Sequence, residues 1–443
     1  MFYNIREFFL KGWIGCGNKD AVSGHYPARR KGHPFKTEYL SVNFICSGSL
    51  FDRPHASILS AVLGRGTLNH PTQADLDKVL ADLYDASLYT KGYCLGETFI
   101  QPFSLSCHKE RFIPGETGLR RRARKLLFEM ILEPLTEKDG FLSRYVEDEK
   151  KNKMDQLSAE KNNKPSYALS RCFSLLCRGE PYDYPASRLR KELPSVSAHS
   201  LLEFYRKMLC RAPIEIFYFG EEDLNSLCSD LMNHLSPLFT PKLPLVSDVI
   251  SFPKPQVCRE EERLVANQST LCLGFKTCVR MGMPGFYALF LLKEIFCDSP
   301  VSLLFTNLRE KESLCYYCQG SLLSRKGVYL LEFGIDGKDA EKAEKETLAQ
   351  LEALKTGNFD EEFLFLCKKS LCDGFAEFYD NPAEIEGWYL RQVLAGSVLS
   401  PKDVSKKIFN MHKKDVQRVA NTLILDSVFL LYGTKNSKEE KAL

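Results

Sequence analysis

The arrangement of apolar and polar residues divides each half of the chain into strands followed by helices. Strict alternation predicts strands with one buried face, and apolar residues at three- and four-residue steps predict amphipathic helices. In the first half, the alternation predicts a strand at 40–46 and a hairpin at 89–107, separated by helices at 56–63 and 76–84. Longer helices and a closing helix–strand pair follow, at 119–132, 141–157, 167–177, 198–209 and 214–220.

The second half repeats this order of elements at an offset of roughly 210 to 230 residues, which indicates an internal duplication. Both closing strands end in glycine, at Gly220 and Gly433. The repeated elements are predicted at 271–275, 286–296, 302–312, 315–335, 340–354, 360–379, 383–394, 414–422 and 427–433. Strands followed by blocks of helices predict an α+β fold of two homologous domains, each an antiparallel-rich sheet with helices packed on one face.

Composition shifts suggest where the domains begin and end. Residues 236–257 contain five prolines and little periodicity, which favours a linker. The predicted organisation is an N-terminal extension at 1–30, a first domain at 31–235, the linker at 236–257, a second domain at 258–436 and a tail at 437–443.

Composition also narrows the classes of function. The 443 residues are 44% hydrophobic, and the formal net charge is only +3, with acidic and basic residues interspersed. A nucleic-acid partner is therefore not expected. No run of eighteen apolar residues and no signal-peptide pattern occur in the sequence. The 16 cysteines are scattered through predicted helices and strands, as expected for reduced thiols. We expect a cytoplasmic protein without a membrane partner.

The most informative local motif is Arg309 and Tyr316, seven residues apart where a helix meets a strand. Together with Ser302-x-Leu304-Phe305 before it, the run resembles the arginine/tyrosine motif of the insulinase/pitrilysin zinc peptidases, which include the mitochondrial processing peptidases. The resemblance implies that Arg309 and Tyr316 bind the substrate backbone beside a zinc ion.

The zinc motif of that family is absent from this sequence. Two histidines and a glutamate in His-x-x-Glu-His share one helix face and can hold one metal, but this chain contains no such run. Gly66-Thr67 resembles the end of the family's segment, and counting back from it assigns Ser57, Ser60 and Ala61 to the two ligands and the base, with Gln156 at the third ligand. None of these is a plausible zinc ligand. His55 and His70 are interpreted as surface or capping residues.

Other segments resemble the catalytically inactive member of the bacterial two-subunit peptidases, notably Phe35-Lys36-Thr37, Leu83-Tyr84-Asp85-Ala86 and Glu147-x-Glu149-Lys150. The resemblance implies a non-catalytic, substrate-binding subunit that is inactive alone and binds no cofactor. It further implies a heterodimer with a homologous His-x-x-Glu-His chain that holds the zinc, and a peptide substrate of unspecified identity.

Two other functions remain open at this stage. The chain can be a structural scaffold of the same fold, in which Arg309 and Tyr316 have no role, or an independent enzyme with a cysteine nucleophile. Cys315 and Cys318 form a Cys-x-x-Cys, but residues three apart on a regular strand point to opposite faces, so the pair is not expected to act in redox chemistry.

Overall fold

The structure is a computed structural model that describes residues 2–4, 25–26, 35–238 and 240–434. Contacts within the chain separate two compact units, with boundaries at Leu157/Ser158, Pro185/Ala186 and Ser247/Asp248. Most of the predicted N-terminal extension and the whole predicted tail at 437–443 lie outside the described residues.

Within the described residues, the first unit contains a seven-stranded sheet in the order β2-β1-β9-β3-β6-β4, with β5 also paired to β6. Its pairings are antiparallel throughout. The strands are β1 (Phe2–Asn4), β2 (His25–Tyr26), β3 (Thr37–Cys46), β4 (Ser87–Tyr89), β5 (Tyr93–Leu95), β6 (Thr98–His108) and β9 (Ile214–Phe219), and a separate small hairpin joins β7 (Thr136–Glu137) to β8 (Gly140–Phe141).

The helices of the first unit bury their apolar faces in one core with β3, β6 and β9. Side-chain caps define where several of them begin. Asp52 accepts from the backbone N–H of His55, and Thr72 and Ser197 form capping boxes. The helices are α1 (Arg53–Leu63), α2 (Gln73–Asp82), α3 (Leu119–Leu132), α4 (Ser143–Ser158), α6 (Ala186–Glu192), α7 (Ala198–Arg211) and α8 (Leu224–Leu235), and α5 (Lys164–Leu176) belongs to the second unit.

The sheet of the second unit repeats the strand order of the first. Its order is β10-β14-β11-β13-β12, which corresponds to β1-β9-β3-β6-β4 of the first unit, so the closing strands β9 and β14 occupy equivalent positions. This repetition supports the predicted duplication. One difference is that β10 pairs with β14 in parallel. The strands are β10 (Cys258–Val265), β11 (Ser269–Lys276), β12 (Cys315–Leu323), β13 (Val328–Ile335) and β14 (Ile424–Thr434).

The helical elements of the second unit include those predicted, in the predicted order, with two π-helical segments where regular helix was expected and one further helix, Pro401–Phe409, that was not predicted. These segments are Glu294–Asp298 and Phe305–Lys311. The α-helices are α9 (Phe286–Lys293), α10 (Ala340–Thr356), α11 (Glu361–Glu377), α12 (Pro382–Leu394), α13 (Pro401–Phe409) and α14 (Lys413–Ala420).

Helix α5 belongs to the second unit, whereas the sequence places its residues in the first domain. Its apolar face packs with residues of β11, β13 and β14 in a separate core cluster. Gly274 on β11 makes room for it, because a Cβ there would lie 2.6 Å from a methyl group of Leu176. Both faces of this sheet are therefore partly covered by helices, which explains why β11 and β13 are buried along their whole length.

The proline-rich segment predicted as a linker is held by ion pairs in its second part. Asp248 is buried and pairs with Arg325 at 2.9 Å, and Lys254 pairs with the fully buried Asp426 at 2.8 Å. This part of the segment is an ordered component of the second unit.

Candidate functional site

The position that the resemblance assigns to the catalytic base is occupied by Ser60, on the face of α1 that meets β6. Its hydroxyl donates to Oε1 of Gln101 at 2.8 Å and accepts from the backbone N–H of Gly92 at 2.7 Å. The two positions assigned to histidine ligands are Ser57 and Ala61. The Ser57 hydroxyl donates to the Pro54 carbonyl of its own helix at 2.7 Å, and Ala61 is exposed.

A neutral hydrogen-bond network surrounds Ser60. Gln101 is fully buried on β6, and its amide nitrogen donates to the carbonyls of Thr90 and Pro102. The loop between β4 and β5 thereby closes against α1. Gly92 permits this approach, since a Cβ there would lie 3.0 Å from the Ser60 hydroxyl and 2.5 Å from the Phe99 ring. The hydrogen bonds of this site are satisfied within the protein.

The third assigned position, Gln156, lies exposed on α4. The buried carboxylate of this helix is Glu149, two turns earlier. Its Oε1 accepts from Nε of Arg65 at 2.7 Å, and Asn152 contacts Oε2 at 3.3 Å. Lys153 lies between Glu149 and Gln156 on the same helix. Its burial and the nearby charge of Lys91 lower its pKa.

The histidines beside this site hold helices in place. His55 lies 2.5 Å from the Asp52 carboxylate through Nδ1 and 2.9 Å from the Ser200 hydroxyl through Nε2. The order Asp–His–Ser is that of a hydrolase triad, but Asp52 caps α1, and the Ser200 hydroxyl accepts the Ser197 backbone N–H in the capping box of α7. The arrangement therefore links two helix N-termini.

His70 contacts a buried carboxylate that sequence reasoning missed. Its Nδ1 lies 2.8 Å from Oε1 of Glu129 on α3, and the Thr67 hydroxyl donates to the same oxygen. Burial alone would raise the pKa of Glu129, but hydrogen bonds from Thr67, His70 and Asn69 outweigh it and lower the pKa. In the part of the chain that the structure describes, no group of three or more His, Cys, Asp or Glu side chains is arranged to hold a metal ion.

In the second unit, Arg309 and Tyr316 are carried by adjoining elements. Arg309 lies in the π-helical segment Phe305–Lys311, where its guanidinium stacks 4.8 Å from the centre of the Phe305 ring and remains exposed. Buried Leu308 anchors this segment, and Ser313, at a φ of 51°, reverses the chain into β12. π-Helical turns are rare and often occur at functional sites.

Tyr316 is the extra residue of a β-bulge. Cys315 pairs with Ile335 and Tyr317 with Gly334, so Tyr316 has no opposite residue on β13. Its side chain is 66% exposed. Bulges re-aim side chains and are frequent near active sites. The structure thus presents both predicted residues to solvent, at the start of an edge strand.

The same bulge corrects the prediction for the Cys-x-x-Cys pair. Cys315 and Cys318 do not point to opposite faces, because the extra residue changes the alternation between them. Cys315 and Cys318 pair with Ile335 and Phe333, which share one face of β13.

Comparisons with known proteins agree with this architecture. A family model described as "Peptidase M16 inactive domain" matches residues 195–371. The Bacillus subtilis (strain 168) protein described as "Probable inactive metalloprotease YmfF" is 25% identical over 407 residues, which cover 92% of this chain and 95% of that protein.

Solved structures extend the similarity to the fold. A conserved protein from Enterococcus faecalis V583 matches with a TM-score of 0.82 and 26% identity, over 91% of this chain and 95% of that one. The peptidase M16 inactive domain from Pseudomonas fluorescens matches with a TM-score of 0.73 and 17% identity, over 90% and 94% of the two chains. Together with the missing His-x-x-Glu-His sequence, these similarities support an inactive, peptidase M16-like chain.

Proposed function

We propose that this chain is the non-catalytic, substrate-binding subunit of a heteromeric zinc metallopeptidase, and that it supplies Arg309 and Tyr316 to a peptide held at the active site of a homologous partner. The zinc and the glutamate base belong to the partner, which carries His-x-x-Glu-His. This chain alone cleaves nothing.

The observation that carries the proposal is the exposure of both side chains beside an edge strand. β12 is the last strand of its sheet and pairs only with β13 among the described strands. The backbone groups on its other edge are available to an extended peptide, which can add as a further strand. Affinity then comes from main-chain hydrogen bonds, which fits a peptide ligand.

The two side chains have distinct roles in this proposal. The Arg309 guanidinium offers several N–H donors in a fixed plane to carbonyl oxygens of the peptide, and its stacking on Phe305 limits the orientations it must lose on binding. The Tyr316 hydroxyl donates a further hydrogen bond to the oxygen on which negative charge develops during attack by water. The chemistry of water activation is supplied by the partner's metal.

The compartment that we propose is the cytoplasm. The 15 cysteines in the described residues are all free thiols, and most of them are buried among apolar side chains. Separately, no helix of the described residues is long and apolar enough to cross a membrane.

The test is reconstitution with a His-x-x-Glu-His homologue, beginning with one encoded beside this gene. Complex formation is measured by size-exclusion chromatography and activity by cleavage of a peptide library. Arg309→Ala and Tyr316→Phe should each lower cleavage by roughly ten- to a thousandfold, because a transition-state donor is lost. Arg418→Ala is the matched control, since Arg418 is a 74% exposed arginine of the same unit.

A scaffold subunit of the same fold is the alternative function. It predicts that the double variant Arg309→Ala/Tyr316→Phe forms the complex and retains full activity. That result would remove the substrate-binding role and leave the structural one.

A further inference from the structure

Tyr317, the residue after Tyr316, lies across a glycine of the neighbouring strand. It pairs with Gly334 of β13 at the point where the bulge ends. A Cβ at Gly334 would lie 2.2 Å from one carbon of the Tyr317 ring and 2.5 Å from another. The ring therefore occupies the space that any other residue at position 334 would fill with its own side chain. Covering a strand glycine with an aromatic ring of the adjacent strand is one way in which strand register is fixed.

A buried carboxylate holds the far end of the same ring. The Tyr317 hydroxyl donates to Oε1 of Glu332 at 2.7 Å. Glu332 is 8% exposed and pairs with Gln319, which follows Tyr317 by two residues on β12. Burial and the hydrogen bond to Glu332 raise the pKa of Tyr317, so its hydroxyl keeps the donated proton at neutral pH. A hydrogen bond to a carboxylate is stronger than one between neutral groups.

The loop between β10 and β11 closes over the same point. The amide nitrogen of Gln268 would lie 2.5 Å from a Cβ at Gly334, which places this amide beside the Tyr317 ring. The nitrogen is buried and has no hydrogen-bond partner among the described residues. Contacts between an amide N–H and an aromatic ring are weakly favourable. Tyr317 is thus confined by the neighbouring strand, a carboxylate and a loop.

We propose that Tyr317 is a positioning residue that fixes the bulge and thereby directs Tyr316 towards the bound peptide. Tyr316 is the extra residue between two paired neighbours, so its direction depends on where Cys315 and Tyr317 are held. Cys315 is buried, and Tyr317 is held by Gly334 and Glu332. Tyr317 acts through Tyr316 and does not contact the peptide. The inference rests on the proposed function for the role of Tyr316.

The first experiment measures the surroundings of Tyr316 in the full chain without a partner. A fluorinated tyrosine is placed at position 316, and its fluorine NMR resonance is compared among variants. Glu332→Gln keeps an oxygen that accepts from Tyr317 and should leave the resonance nearly unchanged. Tyr317→Phe and Glu332→Met remove the hydrogen bond and should shift or split the resonance, because the bulge is no longer held in one arrangement. Identical spectra for all four chains would overturn the proposal.

The second experiment measures kcat and KM for peptide cleavage by the reconstituted complex. Tyr317→Phe and Gly334→Ala should lower kcat with little change in KM, because a transition-state donor is misdirected while peptide binding remains. A displacement of about 1 Å can lower a rate by about a hundredfold, which is the upper limit expected for Gly334→Ala. If that variant fails to fold, Tyr317→Phe carries the test.

Tyr205→Phe is the matched control for a purely structural effect. The Tyr205 hydroxyl donates to the Ile131 carbonyl at 2.7 Å in the core of the first unit. Its removal should lower the melting temperature and leave kcat unchanged. A fall in kcat of the same size in Tyr205→Phe and Tyr317→Phe would overturn the positioning role.

A double-variant cycle identifies the residue through which Tyr317 acts. In a Tyr316→Ala background, Tyr317→Phe should cause no further loss of kcat, because the side chain that it positions is already absent. Losses that multiply would overturn the role of Tyr317 and leave that of Tyr316 intact. Full activity of Tyr316→Ala is the separate result that would overturn the proposed function itself.

Discussion

Two regions of the chain differ in their exposure to solvent. The family's zinc position in the first unit is a closed site, and the Arg309/Tyr316 site in the second unit is an open one. Around Ser60, the polar groups hydrogen-bond to one another, and a glycine lets a loop close over them. Around Tyr316, a bulge and a π-helical segment direct side chains outward at an unpaired strand edge. A site without a ligand tends to satisfy its own hydrogen bonds. Exposed side chains held by irregular backbone are more typical of a binding surface.

The substitution with the largest expected effect tests whether the Arg309/Tyr316 site requires the planar geometry of the Arg309 side chain or only its positive charge. Arg309→Lys keeps the charge but loses the planar set of donors. In the reconstituted complex we expect a loss of activity of roughly tenfold or more, with an unchanged melting temperature. The measurement pairs peptide cleavage with thermal unfolding. Lys311→Arg, in the same segment, is the control; full activity of Arg309→Lys would reduce the role of Arg309 to charge.

The next effect tests whether the Ser60 network stabilises the first unit. Ser60→Ala leaves the Gly92 N–H and the Gln101 carbonyl oxygen without their partner and should lower the free energy of unfolding by about 1 to 3 kcal/mol. Ser57→Ala is the matched control on the same helix and should change it by less than about 0.5 kcal/mol, because that hydroxyl bonds only within its helix. Urea denaturation compares the two. Equal effects would mean that the network is not a specific stabilising feature.

A smaller effect concerns the stability of the fold at low pH. The pKa of Glu129 is lowered from its ordinary value of 4.5, so its carboxylate contributes stability that is present above this value and is lost as pH falls through the lower folded pKa. Glu129→Gln should therefore be less stable than the natural chain at pH 7, and the difference in stability between the two should shrink as pH falls below 4.5 and through the lower folded pKa. Thermal melts across this range provide the measurement. Glu137→Gln, at an exposed position, should follow the natural chain throughout.

The smallest expected effect is that of zinc on this chain. A site filled at about 100 times its dissociation constant would stabilise the fold by about 2.7 kcal/mol. With Ser57, Ser60, Ala61 and Gln156 at the family's positions, we expect no shift in melting temperature and less than one zinc per chain by elemental analysis. The catalytic partner is the positive control. One tightly bound zinc per purified chain would contradict the closed-site interpretation.

The sequence alone determined the α+β fold and the repeated order of strands, because hydrophobic periodicity is a local property that each segment carries by itself. It also located Arg309 and Tyr316 at the junction of a helical segment and a strand, and the absence of His-x-x-Glu-His required no structure. The predicted ends of helices and strands differ from the observed ends by a few residues. The strand predicted at 40–46, for example, spans Thr37–Cys46 in the structure.

Only the tertiary structure decided which other residues surround these positions. The membership of α5 in the second unit depends on packing against strands that follow it by about 100 residues or more, which periodicity does not report. The bulge at Tyr316 is defined by pairing with β13, so the sequence of β12 alone suggested regular alternation and separated Cys315 from Cys318. The Ser60–Gln101 contact joins residues 41 positions apart. These features arise from contacts between distant segments, and such contacts are formed only when the chain folds.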